Sequence, residues 1–256
     1  MIFSRPLFPM KTLPLLALPW LALTARAAVI ITSGSLNTPI PDDTDTGLVH
    51  SLNVPDSFIV GSVSVSLNLS VPGGDYGWTG DLYAYLQHGN GLSVLLNRPG
   101  RTDGSTAAGY GDNQTLTVSF TDGAANGDIH NYRLNVTGSD VIPLTGPLTG
   151  AWQPDGRATD PALTLTADPR TALLGQFNGL DSAGTWTLFL ADLSGGSRFQ
   201  LDSWGVELSA FTPVPEPETV GCVVGVALLG FAAWGRLRQW SNRPHVSTIA
   251  RLDSGE

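Results

Sequence analysis

The chain has 256 residues and a formal net charge of −9 at pH 7, and only 14% of its residues are charged. Its 42% of hydrophobic residues is enough to bury a core, whereas 30 glycines and 18 prolines favour a turn-rich β protein over a helical one. Residues 28–212 contain 17 Asp and 1 Glu against 6 Arg and no Lys, a net charge of −12. This charge argues against nucleic acid as a partner, because phosphate binding needs a cationic face.

Residues 1–27 have the pattern of a signal peptide. Arg5 and Lys11 precede an apolar segment, Leu13–Leu23, and Ala25 and Ala27 provide the small residues that signal peptidase requires at its cleavage site. The apolar segment of about eleven residues is too short to cross a bilayer as a stable helix. We therefore expect export and cleavage after Ala27, and a buried N-terminal strand or helix is the alternative.

Residues 28–211 are predicted to form an all-β domain. The segment Ser57–Val71 alternates apolar and polar side chains, as a half-buried strand requires. A hairpin is predicted around the Gly89-Asn90-Gly91 turn, and further strands are predicted in QTLTVSFTDGA, near Leu163, in GTWTLFLADLSGG and in FQLDSWGVELSAF. No window of ten residues in this region shows the 3.6-residue apolar periodicity of a helix. The pattern therefore predicts an antiparallel, jelly-roll-like β-sandwich.

Three segments of this domain resemble the P domain, or P/Homo B domain, that follows the subtilisin-like catalytic domain of proprotein convertases. They are TPIPDDTDTGLVHSLNVPDSFIVGSVSVSLNLSV, WTGDLYAYLQHGNGLSVLLNRPG and LLGQFNGLDSAGTWTLFLADLSGGSRFQLDSWGVELS. In the last segment, the matching residues are Phe177, Gly179, Gly184, Trp186, Leu188, Asp192, Leu201, Trp204 and Leu208. The resemblance implies a non-catalytic β-sandwich. The connection between Arg101 and Arg170 is longer than in the family, so strand pairing there stays open.

Within this domain we expect Trp186 and Trp204 to lie buried on adjacent strands. Asp81 is expected to be a structural carboxylate that accepts backbone N–H bonds. None of the histidines lies in a nucleophile motif, and the domain has a single glutamate, so no enzyme activity is predicted. Its histidines His50, His88 and His130 are expected to be solvated or structurally satisfied.

Calcium is the one cofactor that the sequence suggests. Asp42, Asp43 and Asp45 lie within one short turn and offer the hard oxygen ligands that calcium prefers, although the spacing of an EF-hand is missing. The P-domain resemblance also implies bound calcium near this segment. The alternative is that these aspartates cap turns.

Residues 212–238 resemble the PEP-CTERM sorting signal of exopolysaccharide-producing Gram-negative bacteria. The motif consists of a proline-glutamate-proline tripeptide, a predicted transmembrane helix over about 219–234, and two basic residues. These positions are Pro215, Glu216, Pro217, Arg236 and Arg238. The prolines keep the tripeptide extended, and the arginines keep the end of the helix in the cytoplasm by the positive-inside rule. The resemblance implies cleavage near the tripeptide by an exosortase.

The rest of the tail leaves alternatives open. Residues 239–256 form a predicted cytoplasmic extension that is longer than the family usually carries. A permanent membrane anchor and a buried core helix are the alternatives to a sorting signal. The short apolar run favours a transient signal.

These features predict an exported, non-catalytic protein that exosortase sorts across the inner membrane to the cell surface or the extracellular polysaccharide matrix, with a structural or adhesive role in biofilm. A second hypothesis is a carbohydrate-binding module. Its stacking platforms would be the aromatic side chains Tyr76, Trp78, Tyr83, Tyr85 and Tyr110. A third is an accessory P domain that acts in trans on a secreted subtilisin-like protease.

Overall fold

The computed structural model describes residues 28–73, 76–102, 108–112, 115–196 and 198–212, together with residues 229, 230, 232–234, 236 and 238. The chain divides into two compact units, Met1–Phe211 and Thr212–Glu256. The first unit contains two β-sheets, and the part of the second unit that is described is helical. The predicted signal peptide and the tripeptide at 215–217 lie outside the described residues.

The larger sheet has six strands in the order β1-β10-β4-β7-β8, and β2 also pairs with β10. Its two long strands, β4 and β10, are antiparallel and form its centre. The bounds of the six strands are β1 Val29–Thr32, β2 Thr38–Pro39, β4 Val60–Ser70, β7 Leu116–Phe120, β8 Leu148–Trp152 and β10 Gln200–Ala210.

The smaller sheet has four antiparallel strands in the order β3-β9-β5-β6. They are β3 Leu48–Val54, β5 Leu82–His88, β6 Gly91–Asn97 and β9 Gly184–Asp192. Short helical segments connect the strands: the α-helix α1 at Tyr132–Thr137 and single 3₁₀ turns at Thr79–Asp81, Ile129–Asn131 and Leu174–Phe177. The predicted all-β sandwich is thus confirmed, as are the strands at β4 to β7, β9 and β10.

The period-two pattern of the strands builds the core between the two sheets. On β4 the side chains of Val63, Val65, Leu67 and Leu69 are buried, while the polar residues between them are not. On β9, Trp186, Leu188 and Leu190 face the same interior. Apolar burial at these positions stabilises the domain by roughly 25 cal/mol per Å² removed from water.

Three expectations need correction. The β7–β8 pair is parallel, so the domain is not purely antiparallel. The segment near Leu163 forms turns instead of a strand, and its backbone is tied by the Leu163 and Thr164 amides to the Asp160 carbonyl. Trp186 and Trp204 are both buried, but they lie in opposite sheets because the chain changes sheet between β9 and β10.

The long connection between β6 and β9 contains the short strands β7 and β8, and arginine–aspartate pairs hold much of the rest. Arg133 contacts Asp112 with an N–O distance of 2.7 Å, and Arg157 bridges Asp128 and Asp155 at 2.9 and 3.1 Å. These pairs are largely buried, so water screens them little. Because Arg133 and Arg157 neutralise buried aspartates, they do not form a cationic patch on the surface of this acidic domain.

Asp155 is the centre of the largest of these networks. Its fully buried carboxylate accepts hydrogen bonds from the His130 ring at 2.7 Å, from the backbone amide of Asn97 at 3.2 Å and from the Arg157 guanidinium at 3.1 Å. The other ring nitrogen of His130 faces the carbonyl of Arg101 at 3.1 Å.

We expect Asp155→Asn to lower the free energy of unfolding by about 1–3 kcal/mol, because buried donors of Arg157, His130 and Asn97 lose a charged acceptor while Arg157 keeps its pair with Asp128. The measurement is urea denaturation at neutral pH. Asp45→Asn is the matched control, since Asp45 is exposed, and its effect should stay within about 0.5 kcal/mol. Equal effects of the two substitutions would contradict the role given to Asp155.

The described part of the tail is helical and includes Arg236 and Arg238. The Arg238 guanidinium lies 4.6 Å from the centre of the Trp234 ring, a cation–π contact one helical turn away. Most of the predicted span at 219–234 lies outside the described residues. Among the helices that are described, none combines the length and the apolar character that a membrane span needs.

Candidate functional site

Three aspartates from separate elements approach one another at one end of the sandwich. Asp42 lies in the turn before β3, Asp81 ends the 3₁₀ turn before β5, and Asp192 is the last residue of β9. Backbone hydrogen bonds connect these elements: the Thr44 amide donates to the Asp192 carbonyl at 3.1 Å, and the Leu193 amide donates to the Asp81 carbonyl at 3.0 Å. The sheet register and these bonds therefore fix the three carboxylates as neighbours.

The three carboxylates differ in how well they are neutralised. Asp81 pairs with the Arg98 guanidinium at 3.2 Å, and one oxygen of Asp42 accepts a hydrogen bond from the Gly196 amide at 3.2 Å. Asp192 is fully buried, and the Ser194 backbone amide approaches its carboxylate, but neither oxygen has a partner at hydrogen-bonding geometry among the described residues. Oδ1 of Asp42 is also buried without a partner. Burial of anionic oxygens without donors costs folding free energy. A cation bound at this end of the domain would reduce that cost.

The pKa values of Asp192 and Asp81 are raised, as expected for buried carboxylates that lie close together. Burial, and then the nearby charges of Asp81 and Asp42, raise the pKa of Asp192 to about 7. The nearby Ser194 amide and the Arg98 guanidinium lower it by less. Burial also raises the pKa of Asp81, although Ser194 and Arg98 oppose that shift. Near neutral pH, a proton or a cation is therefore held favourably at Asp192.

The acidic turn proposed as a calcium site from the sequence is only partly drawn into this cluster. Asp42 belongs to it, whereas Asp43 and Asp45 are exposed side chains on the outside of the turn. Within the described ranges, no three Asp, Glu, His or Cys side chains form a ready-made metal site. The unpartnered oxygens of Asp42 and Asp192 fit calcium in chemical type, but a bound ion would also need backbone carbonyls or water to complete its coordination.

Sequence reasoning missed the proximity of Asp81 to Asp192. Asp81 was expected to accept backbone amides, but its carboxylate pairs with a guanidinium instead. The available signal was the position of both aspartates at the ends of apolar strands, in TGDLYAYL and LFLADL. Because β5 and β9 are antiparallel neighbours, the start of one strand adjoins the end of the other, and Leu82 pairs with Asp192.

A cleft of about 450 Å³ lies beside the acidic cluster and includes Asp81 in its wall. Two of the aromatic residues proposed as stacking platforms line it: Tyr76 is 68% exposed and Trp78 is 40% exposed. The remaining three are not free platforms. Tyr110 is buried, and Tyr83 and Tyr85 are half-buried against the ring of Phe189.

The histidines are engaged in structural contacts, as expected. His88 stacks on the Trp186 indole at a ring-centre distance of 4.1 Å, and its two nitrogens face the carbonyls of Asp181 and Thr185. His50 accepts a hydrogen bond from the indole N–H of Trp204 at 2.9 Å. Together with His130 beside Asp155, these side chains act as connectors within the fold.

Comparisons with known proteins give limited information. No protein-family model matches the chain, and no curated protein matches it. Among solved structures, the chain is similar to the serine protease of Aeromonas sobria, alone with a TM-score of 0.38 and in its complex with the chaperone ORF2 with a TM-score of 0.39. Each match has 14% sequence identity and covers 73% of this chain and 27% of the other.

The chain thus spans about a quarter of the length of the protease chain that it matches. At these TM-scores, membership of the P-domain family and action in trans on a protease both stay predictions. The PEP-CTERM resemblance of the tail is likewise a prediction from the sequence.

The raised pKa of Asp192 predicts a specific pH dependence of stability. A carboxyl group with a higher pKa in the folded state than in the unfolded chain stabilises the fold fully below about pH 4, and this contribution is lost as pH rises to about 7. In EDTA, we expect the free energy of unfolding of the wild type to fall across this window more steeply than that of Asp192→Asn. Above pH 7 the variant should be the more stable by about 1–3 kcal/mol, because it removes a buried, unpartnered anion.

The measurement is urea denaturation at several pH values for both proteins. Comparison of the two curves removes the contributions of groups that do not interact with Asp192. Parallel pH profiles would show that the Asp192 carboxylate is solvated or neutralised by other means.

Proposed function

We propose that the protein is a non-catalytic, exported β-sandwich protein that an exosortase sorts through its C-terminal segment to the cell surface or the extracellular polysaccharide matrix. There it has a structural or adhesive role. The observation that carries this proposal is the order of features in the tail: proline-glutamate-proline, an apolar run and then arginines. The predicted signal peptide at the other end of the chain supports export.

The contacts within the sandwich support a non-catalytic role. His88 and His130 each have both ring nitrogens in contact with groups of the same domain, so both rings take part in holding the fold. Aspartates of the same domain pair with Arg98, Arg133 and Arg157. These groups stabilise the fold, which supports a structural or adhesive role for the domain.

Sorting is tested by replacing Pro215, Glu216 and Pro217 with alanine. In cells with an active exosortase, we expect the wild type to lose its C-terminal segment and to leave the inner membrane, while the triple variant stays there at full length. The readout is cell fractionation followed by mass analysis of the mature C-terminus. Pro213→Ala, outside the tripeptide, is the matched control and should be processed normally.

Full-length wild type in the inner membrane, with or without an active exosortase, would contradict the sorting proposal. Processing of the triple variant at the wild-type site would contradict the role of the tripeptide.

The acidic cluster supports a second element of the proposal, a calcium ion bound at the Asp192 end of the sandwich. Asp192 and Asp42 would supply the unpartnered oxygens, and Asp81 would add negative charge from the neighbouring strand. When bound, calcium would replace the missing counter-charge and connect the turn before β3 to the end of β9. Binding to the folded state alone stabilises a protein in proportion to the logarithm of ligand concentration.

We expect about 1 mM calcium, the range in which extracellular modules bind this ion, to raise the thermal unfolding midpoint of the EDTA-treated protein. Asp192→Asn should abolish this increase, and Asp45→Asn should retain it. The two variants also separate two ligand sets. Loss of the calcium effect in Asp45→Asn, with retention in Asp192→Asn, would place the ion in the exposed acidic turn and contradict the proposal.

A further inference from the structure

The cleft beside the acidic cluster has the composition of a site for an uncharged polar ligand. Its walls consist of Tyr76, Trp78, Asp81 and four glycines, and two turns and the segment before β5 contribute them. None of the described residues that line it has a cationic or aliphatic side chain. Among these lining residues a phosphate or sulfate group would meet the Asp81 carboxylate, and an apolar peptide would find no aliphatic side chain.

The Trp78 indole is held in place without being buried. Its N–H donates to the Ala108 carbonyl at 3.3 Å, and the ring lies directly against Gly111. A Cβ atom at position 111 would approach the indole carbons to 2.8 Å, so only glycine permits this contact. Trp78 therefore stays 40% exposed while these contacts hold the orientation of its ring. An aromatic surface that is already immobile loses little conformational entropy when a ligand stacks on it.

The glycines keep the cleft open beside this ring. A Cβ atom at Gly77 would approach the Phe199 ring to 2.5 Å, so the backbone of this segment packs directly on the core. Gly196 on the opposite wall donates its amide to the Asp42 carboxylate. Glycine walls leave backbone polar groups near the surface, where hydroxyl groups of a ligand can reach them.

We propose that this cleft binds a hexopyranose unit of a neutral polysaccharide, with the apolar face of the sugar stacked on Trp78 and Tyr76 and its hydroxyl groups directed to the Asp81 side. A pyranose ring combines an apolar C–H face with a rim of hydroxyl donors, and the cleft combines an aromatic face with acceptors. The net charge of −12 across residues 28–212 disfavours anionic polysaccharides. This inference rests on the proposed role in the polysaccharide matrix and names the ligand class.

The test is isothermal titration calorimetry of the full chain in calcium-containing buffer with cellohexaose, laminarihexaose, maltohexaose and mannohexaose, and with oligogalacturonate as the anionic comparison. We expect at least one neutral oligosaccharide to bind and the anionic one to bind more weakly. Trp78→Ala should weaken that binding at least about tenfold, as truncation of a central aromatic contact does. Trp78→Phe should restore part of it.

Phe211→Ala is the matched control. Phe211 is 62% exposed and does not line the cleft, so its removal should leave binding unchanged. Wild-type unfolding midpoints for all variants would exclude loss of the fold as the cause of weaker binding. Trp78→Phe keeps the proposal testable if Trp78→Ala does not fold.

Failure of all four neutral oligosaccharides to bind would overturn the proposal, as would tightest binding of the anionic one or unchanged binding by both Trp78 variants. These outcomes are independent of sorting, because the purified protein is titrated outside the cell. A correctly sorted protein without glycan binding would retain the proposed structural role, whereas glycan binding by a protein that stays in the inner membrane would contradict sorting alone.

Discussion

A fully buried carboxylate without a cationic partner among the described residues is the constraint around which one end of this domain is organised. Asp192 ends a central strand whose preceding side chains fill the core, so the strand cannot shift to bring the carboxylate into water without exposing Trp186 and Leu188. The neighbouring charges of Asp81 and Asp42 increase the affinity of Asp192 for a proton or a cation. The cleft and its exposed aromatic rings adjoin this point, so both proposed ligands would lie at this end of the sandwich.

In the connection between β6 and β9, by contrast, the buried carboxylates are paired with arginines. There Asp112, Asp128 and Asp155 are each matched by an arginine, and the paired groups stabilise a segment with little strand pairing. Removing either partner of such a pair is more damaging than its net contribution suggests, because it leaves the other charge buried and alone. The domain thus contains neutralised acidic groups in its long connection and an unneutralised group at its cleft.

Local sequence patterns predicted much of the sandwich. The alternation along Val60–Ser70 and the turn before Gly91 were sufficient to place β4 and the β5–β6 hairpin, because these signals act over a few residues. The parallel strand β8 was not predicted, since its partner β7 lies across a connection that contains α1. Near Leu163, an alternating pattern occurs in a segment whose turn conformation is held by local hydrogen bonds.

The candidate site was predictable only in part. The acidic turn drew attention to Asp42 because its aspartates are adjacent in sequence, whereas the partners of Asp42 are brought near by pairing between β5 and β9. Composition likewise identified five aromatic residues without separating exposed Trp78 from buried Tyr110. That distinction depends on packing between distant segments, and no periodic signal encodes it.

For this end of the sandwich, we propose that a bound calcium ion neutralises Asp192. This proposal is tested most directly by a crystal structure of the protein grown with calcium, with the ion identified by its anomalous signal. The account predicts an ion about 2.3–2.6 Å from carboxylate oxygens of Asp192 and Asp42. An ion held by Asp43 and Asp45 alone, or an Asp192 carboxylate without any ion in saturating calcium, would contradict it.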